Sequence, residues 1–204
     1  MFKWAMKEGR VVDNPTLGVE REQIKSSGYK AWDEIEIASY EAAYGIGSKA
    51  RSAMALMLYT GARKSDARLV GPANIIGDRV RFKQQKTGTV VDVPLHPKLH
   101  AIIEATPTVG IKHFVVTRSG KPYSIGGFGN RMRDWCDAAG CPEVSSHGLR
   151  KACGTRLAEA GATTHQIAAV PGHASLSEVE RYTKAAERKR LAGRGIAKLI
   201  EGGW

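Results

Sequence analysis

Cysteine is scarce in this chain of 204 residues, with three examples at Cys136, Cys141 and Cys153. An odd number without a Cys-x-x-Cys pair is not the pattern of a disulfide framework. No tight pair of cysteine and histidine ligands accompanies them, so a metal site is not indicated. We expect reduced thiols that pack in the core of a cytoplasmic protein.

Long apolar runs are also missing. No segment approaches the roughly 20 apolar residues that cross a bilayer, so we expect no membrane partner. The first residues, Met1-Phe2-Lys3-Trp4, lack the apolar stretch of a secretory signal. Hydrophobic residues make up 42% of the chain and charged residues 25%, which are ordinary globular values that argue against wholesale disorder.

Acidic residues are outnumbered by basic ones, 20 against 31, which gives a formal net charge of +11. A surplus of this size favours a polyanionic partner, and nucleic acid is the leading candidate. Charge alone does not exclude a basic protein with scattered lysines.

The sequence predicts a mostly α fold with a small antiparallel β-sheet, of the α+β class. Asp33 with Glu36 has the pattern of a helix cap, and Gly77-Asp78 is a turn between strands. The predicted helices are 33–45, 48–59, 63–69, 97–105, 124–139, 148–160, 164–169, 176–182 and 184–200. The predicted strands are 74–76, 79–84 and 90–94, while 114–117 is a strand or a short extended piece. Residues 1–30 look like a linker and the tail of a preceding domain, and residues 31–204 like the main domain.

Five short motifs place cationic, imidazole and phenol side chains along the chain. In order they are Thr60-Gly61-Ala62-Arg63 followed by Asp66, Lys86 in a turn, His147-Gly148-Leu149-Arg150, Gly172-His173 and Arg181-Tyr182. Guanidinium groups stay charged and match phosphate oxygens in pairs. Cleavage of a phosphodiester without a metal needs such cations, together with a nucleophile, an acid and a base.

With these motifs, T-G-x-R-x-x-D, a hairpin lysine, H-x-L-R, G-H and R-Y, the chain resembles the tyrosine recombinase (phage integrase) family from about residue 33 to residue 192. The resemblance implies the catalytic-domain fold of that family, preceded by a core-binding domain. It implies a bacterial or phage-encoded, site-specific recombinase or integrase that cuts and rejoins DNA through a 3′-phosphotyrosyl intermediate, without a cofactor or metal.

The resemblance also implies a role for each side chain. Two arginines and the second histidine would hold the scissile phosphate, and the lysine would protonate the leaving 5′ oxygen. The first histidine would accept the proton of the attacking tyrosine. The aspartate would orient an arginine or a histidine, and Lys83 competes with the turn lysine. The catalytic candidates are Arg63, Lys86, His147, Arg150, His173 and Tyr182, with Asp66 in support.

Basic side chains on the predicted hairpin and beside the tyrosine favour contacts to the DNA backbone, namely Arg79, Arg81, Lys83 and Arg181. We expect double-stranded DNA as partner, a homo-oligomer on DNA that is tetrameric for the full-length protein, and a monomer for this part alone. The last helix has an apolar side that docks on a neighbouring protomer or packs on its own domain; it comprises Leu191, Ile196, Leu199 and Ile200.

Two other functions stay open. The predicted helices 148–160 and 164–169 have the spacing of a helix-turn-helix DNA-binding regulator. That function leaves Arg63, Lys86 and Tyr182 unexplained. A type IB topoisomerase shares the chemistry but relaxes DNA as a monomer. One position departs from the family pattern, because Pro171 precedes Gly172-His173 where the family usually has a large apolar residue. A proline has no N–H, so it either only ends the preceding helix or shifts His173.

Overall fold

The computed structural model describes residues 1–19, 28–107, 112–172 and 177–203, except the side chains of residues 177, 178, 181, 182, 185 and 189. Its helices are Phe2–Lys7 (α1), Glu34–Ala43 (α2), Lys49–Thr60 (α3), Lys64–Ala67 (α4), Pro97–Glu104 (α5), Ile125–Ala138 (α6), Ser146–Glu159 (α7), Thr164–Ala169 (α8) and Ser177–Glu201 (α9). Its strands are Ile75–Ile76 (β1), Arg79–Lys83 (β2) and Val90–Pro94 (β3), and Pro72–Asn74 forms a 3-10 turn before them. The predicted fold class is confirmed.

Side-chain caps fix where two of the helices begin. Asp33 accepts a hydrogen bond from the backbone N–H of Glu36 at 2.9 Å, and the Glu36 carboxylate accepts one from the N–H of Asp33 at 3.0 Å. The same reciprocal pair joins Thr163 and Gln166 at the start of α8. Both capping boxes were predicted, and each one satisfies N–H groups that have no partner inside the helix.

Helix α3 is the centre of the main core. Its residues from Ala53 to Leu58 are at most 2% exposed, so the helix is buried on every side rather than along one stripe. Helices α4, α5 and α7 pack against it. Burial of each Met or Leu side chain contributes about 1.5–3 kcal/mol, so α3 is the fixed frame on which the N-terminal ends of α4 and α7 are positioned.

The three strands form one antiparallel sheet in the order β1-β2-β3, with Arg81 opposite Asp92. Alternate residues of β2 and β3 face the core, and these are Val80, Phe82, Val91 and Val93. Because side chains alternate along a strand, the basic residues of β2 lie together on the other face.

A second, smaller core joins the C-terminal helices. Ala158 of α7, Ile167 of α8 and Val179 of α9 are buried against one another. This cluster fixes the first turn of α9 on the rest of the domain. Residues 191–200 are all exposed, so the apolar side of the last helix does not pack on its own domain.

Some predicted helix boundaries were wrong. Residues 176–182 and 184–200 were predicted as two helices, but α9 is continuous from Ser177 because no glycine or proline interrupts it near residue 183. Helix α7 begins at Ser146, two residues earlier than predicted, so His147 lies inside it. Of the two alternatives predicted for residues 114–117, the structure has the short extended piece, with a bridge between Val116 and Pro122.

Within the described residues, no helix is both long enough and apolar enough to cross a membrane. The same residues contain no group of three or more metal-ligand side chains. Cys136, Cys141 and Cys153 are unbridged and buried, as the sequence predicted. Burial raises the pKa of the Cys136 and Cys153 thiols to about 12, which makes them inert packing groups.

Candidate active site

A cleft of about 540 Å³ opens between the N-terminal ends of α4 and α7, the face of α6 and the extended chain before α2. Arg63, His147 and Arg150 all line it. These three residues are separated by up to 87 positions in the sequence, and the packing of α4 and α7 on α3 brings them to one wall. The structure thus assembles half of the predicted catalytic set in one place.

Arg150 is the most deeply held member of the site. It is 3% exposed, and its Nη1 donates to the carbonyl oxygens of Gly61 at 2.6 Å and Pro171 at 2.8 Å. Carbonyl groups orient a guanidinium without cancelling its charge.

Gly61 shapes this contact. It ends α3 with φ +64°, in the left-handed region that favours glycine. A Cβ at this position would lie 2.4 Å from the Cβ of Pro171. The glycine therefore lets the two carbonyl groups approach each other closely enough to share the Nη1 atom of Arg150.

Arg63 lies at the N-terminal end of α4, where it is the capping residue rather than part of the helix. Its Nη1 donates to Oε1 of Gln84 at 2.6 Å. Gln84 is 1% exposed and directly follows β2, so the sheet provides the side chain that holds this arginine.

His147 is an exposed residue in the first turn of α7. The ring of Tyr29 lies against it, with 5.0 Å between centroids and planes at 57°. The buried Trp32 donates from Nε1 to the carbonyl oxygen of Ser145 at 2.8 Å. Gly148 permits this contact, because a Cβ there would lie 2.3 Å from the carbonyl oxygen of Lys30. The chain before α2 therefore sets the position of this end of α7.

Asp66 is buried, and its carboxylate accepts from the backbone N–H of Gln85 at 3.0 Å and from the hydroxyl of Ser65 at 3.2 Å. The predicted helix 63–69 included both Arg63 and Asp66, whereas in the structure Arg63 precedes the helix. Its described contacts thus join α4 to the loop between β2 and β3 and do not include Arg63.

Lys86 lies exposed in the turn between β2 and β3, outside the lining of the cleft. His173 lies outside the described residues. Arg181 and Tyr182 belong to α9 by their backbone, and their side chains are outside the described part. The structure therefore brings three of the six candidates into the cleft and places Lys86 two residues from Gln84.

The basic face of β2 has an acidic neighbour that the sequence analysis overlooked. Nε of Arg79 lies 2.6 Å from Oδ1 of Asp92, and Nε of Arg81 lies 3.9 Å from Oδ2 of the same carboxylate. The carboxylate comes from the paired strand β3, in which Asp92 lies opposite Arg81. The Asp92 carboxylate thus offsets part of the charge on this face, whereas Lys83 has no described ion pair.

Sequence reasoning also missed Tyr29, Lys64, Arg133 and Gln84. Lys64 and Arg133 line the cleft and add two cations to it. A signal was present in α6, where Gly126, Gly129 and Asn130 occur with Arg133 at helical spacing. A helix face of small and polar residues is not the apolar face that packs on a hydrophobic core. In α6 this face forms one wall of the cleft.

The chain is similar to tyrosine recombinase XerC 2 of Ralstonia nicotianae, with 26% identity over an alignment of 198 residues; the match covers 89% of this chain and 57% of the relative. Among solved structures, it is similar to a lambda integrase in a dimer bound to a COC′ core site, with a TM-score of 0.71 and 21% identity over 89% of this chain and 55% of the other. The lambda integrase catalytic core matches with a TM-score of 0.57 and 22% identity, over 72% of this chain and 96% of the core.

The chain spans just over half of the length of the curated relative. The structural matches show that the fold is that of tyrosine recombinase catalytic domains. The family model described as Phage integrase family matches residues 35–189, which is most of the chain. The chain therefore belongs to the phage integrase family of tyrosine recombinases.

Proposed function

We propose that residues 31–204 are the catalytic domain of a site-specific DNA recombinase that cuts and rejoins DNA through Tyr182. The observation that carries the proposal is the cleft in which Arg63, His147 and Arg150 converge. Membership of the phage integrase family supports it. Two guanidinium groups and an imidazole on one wall suit an anionic group whose charge increases during reaction.

In the proposed reaction, the hydroxyl oxygen of Tyr182 attacks the scissile phosphorus and the 5′ oxygen of the next nucleotide leaves. His147 accepts the proton of the tyrosine, and Lys86 donates a proton to the leaving oxygen. Arg63 and Arg150 balance the charge on the phosphate oxygens, with His173 as a further donor. The product is a 3′-phosphotyrosyl link and a free 5′ hydroxyl.

Because the number of phosphoester bonds is unchanged, a 5′ hydroxyl from another DNA end can reverse the step without ATP. No cofactor enters this scheme. Asp66 supports it from a distance, since it fixes the loop that carries Lys86 against α4.

Double-stranded DNA is the proposed substrate. Arg81 and Lys83 extend from the exposed face of β2, and with Arg181 they are the proposed contacts to the DNA backbone. Arg79 is already paired with Asp92, so we expect a smaller contribution from it. Phosphate contacts of this kind make binding fall steeply as salt rises.

We also propose that the protein acts as a homo-oligomer on DNA, as a tetrameric synapse in its full-length form. The exposed apolar residues at the end of α9 support this, with Leu191 61% and Ile200 71% exposed. Neighbouring structures include a lambda integrase tetramer bound to a Holliday junction. Helix α9 would dock on an adjacent protomer, and this part of the protein alone would be monomeric.

The other two functions are not favoured. A helix-turn-helix regulator would use α7 and α8, but α8 has six residues and its Ile167 is buried against α9. The regulator also leaves the convergence of Arg63 and Arg150 without a purpose. A type IB topoisomerase is not favoured by the family match.

The test is a covalent selection, because the recognition site is unknown. A library of nicked duplexes with a randomised core is incubated with the protein, denatured in SDS and passed through a filter that retains protein-bound DNA. Because the nick leaves only a short strand downstream of the cut, the released fragment with the free 5′ hydroxyl diffuses away and the covalent complex is trapped. We expect retained DNA to converge on one sequence, with the attached peptide containing Tyr182.

The Tyr182→Phe variant is the matched control, and it should bind the selected duplex without retaining any after denaturation. If the unaltered protein retains no more DNA than Tyr182→Phe over repeated rounds, the proposed activity is wrong. Relaxation of a supercoiled plasmid by the monomeric protein would favour the topoisomerase instead.

A further inference from the structure

We infer that Gln84 is a positioning residue that locks the two catalytic arginines into one hydrogen-bonded unit. This inference deepens the proposed function, on which it rests. Oε1 of Gln84 accepts from Nη1 of Arg63 at 2.6 Å, and Nε2 of Gln84 donates to the carbonyl oxygen of Pro171 at 2.6 Å. The same carbonyl accepts from Nη1 of Arg150 at 2.8 Å. A single amide and a single carbonyl therefore connect the two guanidinium groups.

The orientation of the Gln84 amide follows from its partners. The guanidinium of Arg63 can only donate, and the carbonyl of Pro171 can only accept. If the amide were flipped, its NH₂ group would face the guanidinium of Arg63 and its oxygen would face the carbonyl oxygen of Pro171. Neither pair can form a hydrogen bond, and Gln84 is only 1% exposed, so water could not replace the lost partners. The hydroxyl of Thr87 also donates to Oε1, at 2.8 Å, which fixes the acceptor end further.

The side chain at this position must carry one acceptor and one donor at a fixed separation. A methionine has about the same length but makes neither bond. A glutamate keeps the acceptor for Arg63, but it sets an anion against the Pro171 carbonyl and neutralises the arginine. Only the neutral amide holds Arg63 without competing with a phosphate for its charge.

Gln84 also connects the arginines to the turn that carries Lys86. Its backbone N–H donates to the carbonyl oxygen of Thr89 at 2.9 Å, and its carbonyl accepts from the N–H of Gly88 at 2.9 Å. The residue thus closes the turn through its backbone and holds Arg63 through its side chain. One residue fixes the cation that binds the phosphate relative to the proposed acid.

The kinetic test compares Gln84→Met with Gln85→Met. Gln85 is the adjacent residue with an exposed side chain, and its contact to Asp66 uses only the backbone. With the duplex recovered by covalent selection, we expect Gln84→Met to bind with nearly unchanged affinity. Its first-order rate of covalent complex formation at saturating protein should fall by at least about 10-fold, because misplacement of one preorganised donor is costly. Gln85→Met should cleave at the original rate.

A double-mutant cycle tests whether Gln84 acts through Arg63. In an Arg63→Ala background, Gln84→Met should slow cleavage by much less than it does alone, because the contact to Arg63 is already lost and only the link to Arg150 through Pro171 remains. Independent losses that multiply would overturn the inference, and so would an unchanged rate in Gln84→Met alone. A purely structural role would instead lower DNA affinity and thermal stability together, and it would slow cleavage equally in both backgrounds.

A second readout needs no catalysis. In NMR spectra of the unliganded protein at low temperature, the Nη protons of Arg63, assigned by comparison with Arg63→Lys, should give separate signals because the bond to Gln84 slows rotation of the group. Gln84→Met should collapse them, whereas Gln85→Met should not. If the signals collapse but the protein never cross-links to DNA, the proposed function fails and the positioning role stands. If they persist in Gln84→Met, the inference is wrong whatever the enzyme does.

Discussion

Arg150 donates to the main-chain carbonyl of Pro171 at 2.8 Å, across 21 positions of the sequence. Pro171 departs from the family pattern, which usually has a large apolar residue at this position, and as a proline it lacks an N–H. The structure shows that the group in use at this position is the carbonyl, which proline retains. Pro171 is therefore compatible with the placement of Arg150, and its ring packs closely on Gly61.

We predict that Gly61→Ala strongly destabilises the protein and disturbs the cleft. An alanine costs about 1–2 kcal/mol in the left-handed region, and the contact with Pro171 adds about 1–3 kcal/mol of overpacking. Relief of the contact moves both carbonyl acceptors of Arg150. Urea denaturation should show the combined loss, and covalent complex formation should slow under conditions where the variant is folded.

The matched control for this prediction is Gly77→Ala. Gly77 has φ +59°, similar to the +64° of Gly61, but a Cβ there would meet nothing within 4 Å. It should lose only the backbone contribution of about 1–2 kcal/mol and cleave normally. Equal losses of stability in the two variants would contradict the contact with Pro171.

We predict that Arg150→Lys lowers the rate of covalent complex formation by about 100–1000-fold, the usual cost of removing one fixed donor to a developing oxyanion. Lysine keeps the charge, but it lacks the planar group that Gly61 and Pro171 orient. Single-turnover cleavage of the selected duplex measures the effect. Arg156→Lys is the control on the same helix, because Arg156 pairs with Glu34 at the surface. A rate within a few-fold of the unaltered protein would refute the assigned role of Arg150.

We predict that stability decreases on acidification partly because of His96. Burial, followed by the charges of Lys98 and Arg156, lowers the pKa of His96 below its usual 6.5. Its Nδ1 accepts from the N–H of Lys98 at 3.2 Å, and its ring stacks on Tyr59 with 4.4 Å between centroids. A proton on Nδ1 would abolish the first contact.

The sign of this effect follows from which state binds the proton. Just below pH 6.5 the unfolded chain protonates His96 and the folded protein does not, so the free energy of unfolding falls there and is fully recovered above it. Thermal melts between pH 5 and 8 should show a shallower slope for His96→Asn, which can still cap α5. His100→Asn, which lies one turn further along α5, is the control. Its stability should depend on pH at the acidic end of that range as it does in the unaltered protein, because His96 is still present. An unaltered slope in His96→Asn would remove this explanation.

The three thiols should be unreactive in the native protein. Burial raises the pKa of Cys136 and Cys153 to about 12, and it raises that of Cys141 as well. At pH 8 a thiol reagent such as DTNB should therefore react slowly with the folded protein. In urea, the same reagent should react readily with all three thiols. Rapid reaction of one equivalent under native conditions would show that a thiol is accessible.

Local patterns in the sequence were enough to predict most of the helices and strands. Two helix starts are marked by capping boxes, Asp33 with Glu36 and Thr163 with Gln166. Both members of each pair lie within three residues of each other, so the pattern is visible in the sequence alone. The residues Arg63, His147 and Arg150 were recognisable because they stand in two motifs, T-G-x-R-x-x-D and H-x-L-R, that resemble those of the tyrosine recombinase family.

Contacts between distant segments were not predictable in this way. Gln84 has no motif of its own, and its role depends on the approach of Pro171, 87 positions away. The pairing of Arg79 with Asp92 depends on strand register, which the hairpin fixes only after it forms. The continuity of α9 was missed because two overlapping helix patterns near residue 183 look like a break.

The uninterrupted course of α9 has a mechanical consequence. Its 25 residues extend over about 37 Å at 1.5 Å of rise per residue. Tyr182 is its sixth residue, so the proposed nucleophile and the exposed apolar tail belong to the same helix. Because Val179 anchors the first turn, a tilt of about 5° around residue 179 would displace the backbone near residue 200 by about 3 Å, given the helical rise. A partner that binds the tail would therefore act on the same rigid helix that carries the proposed nucleophile.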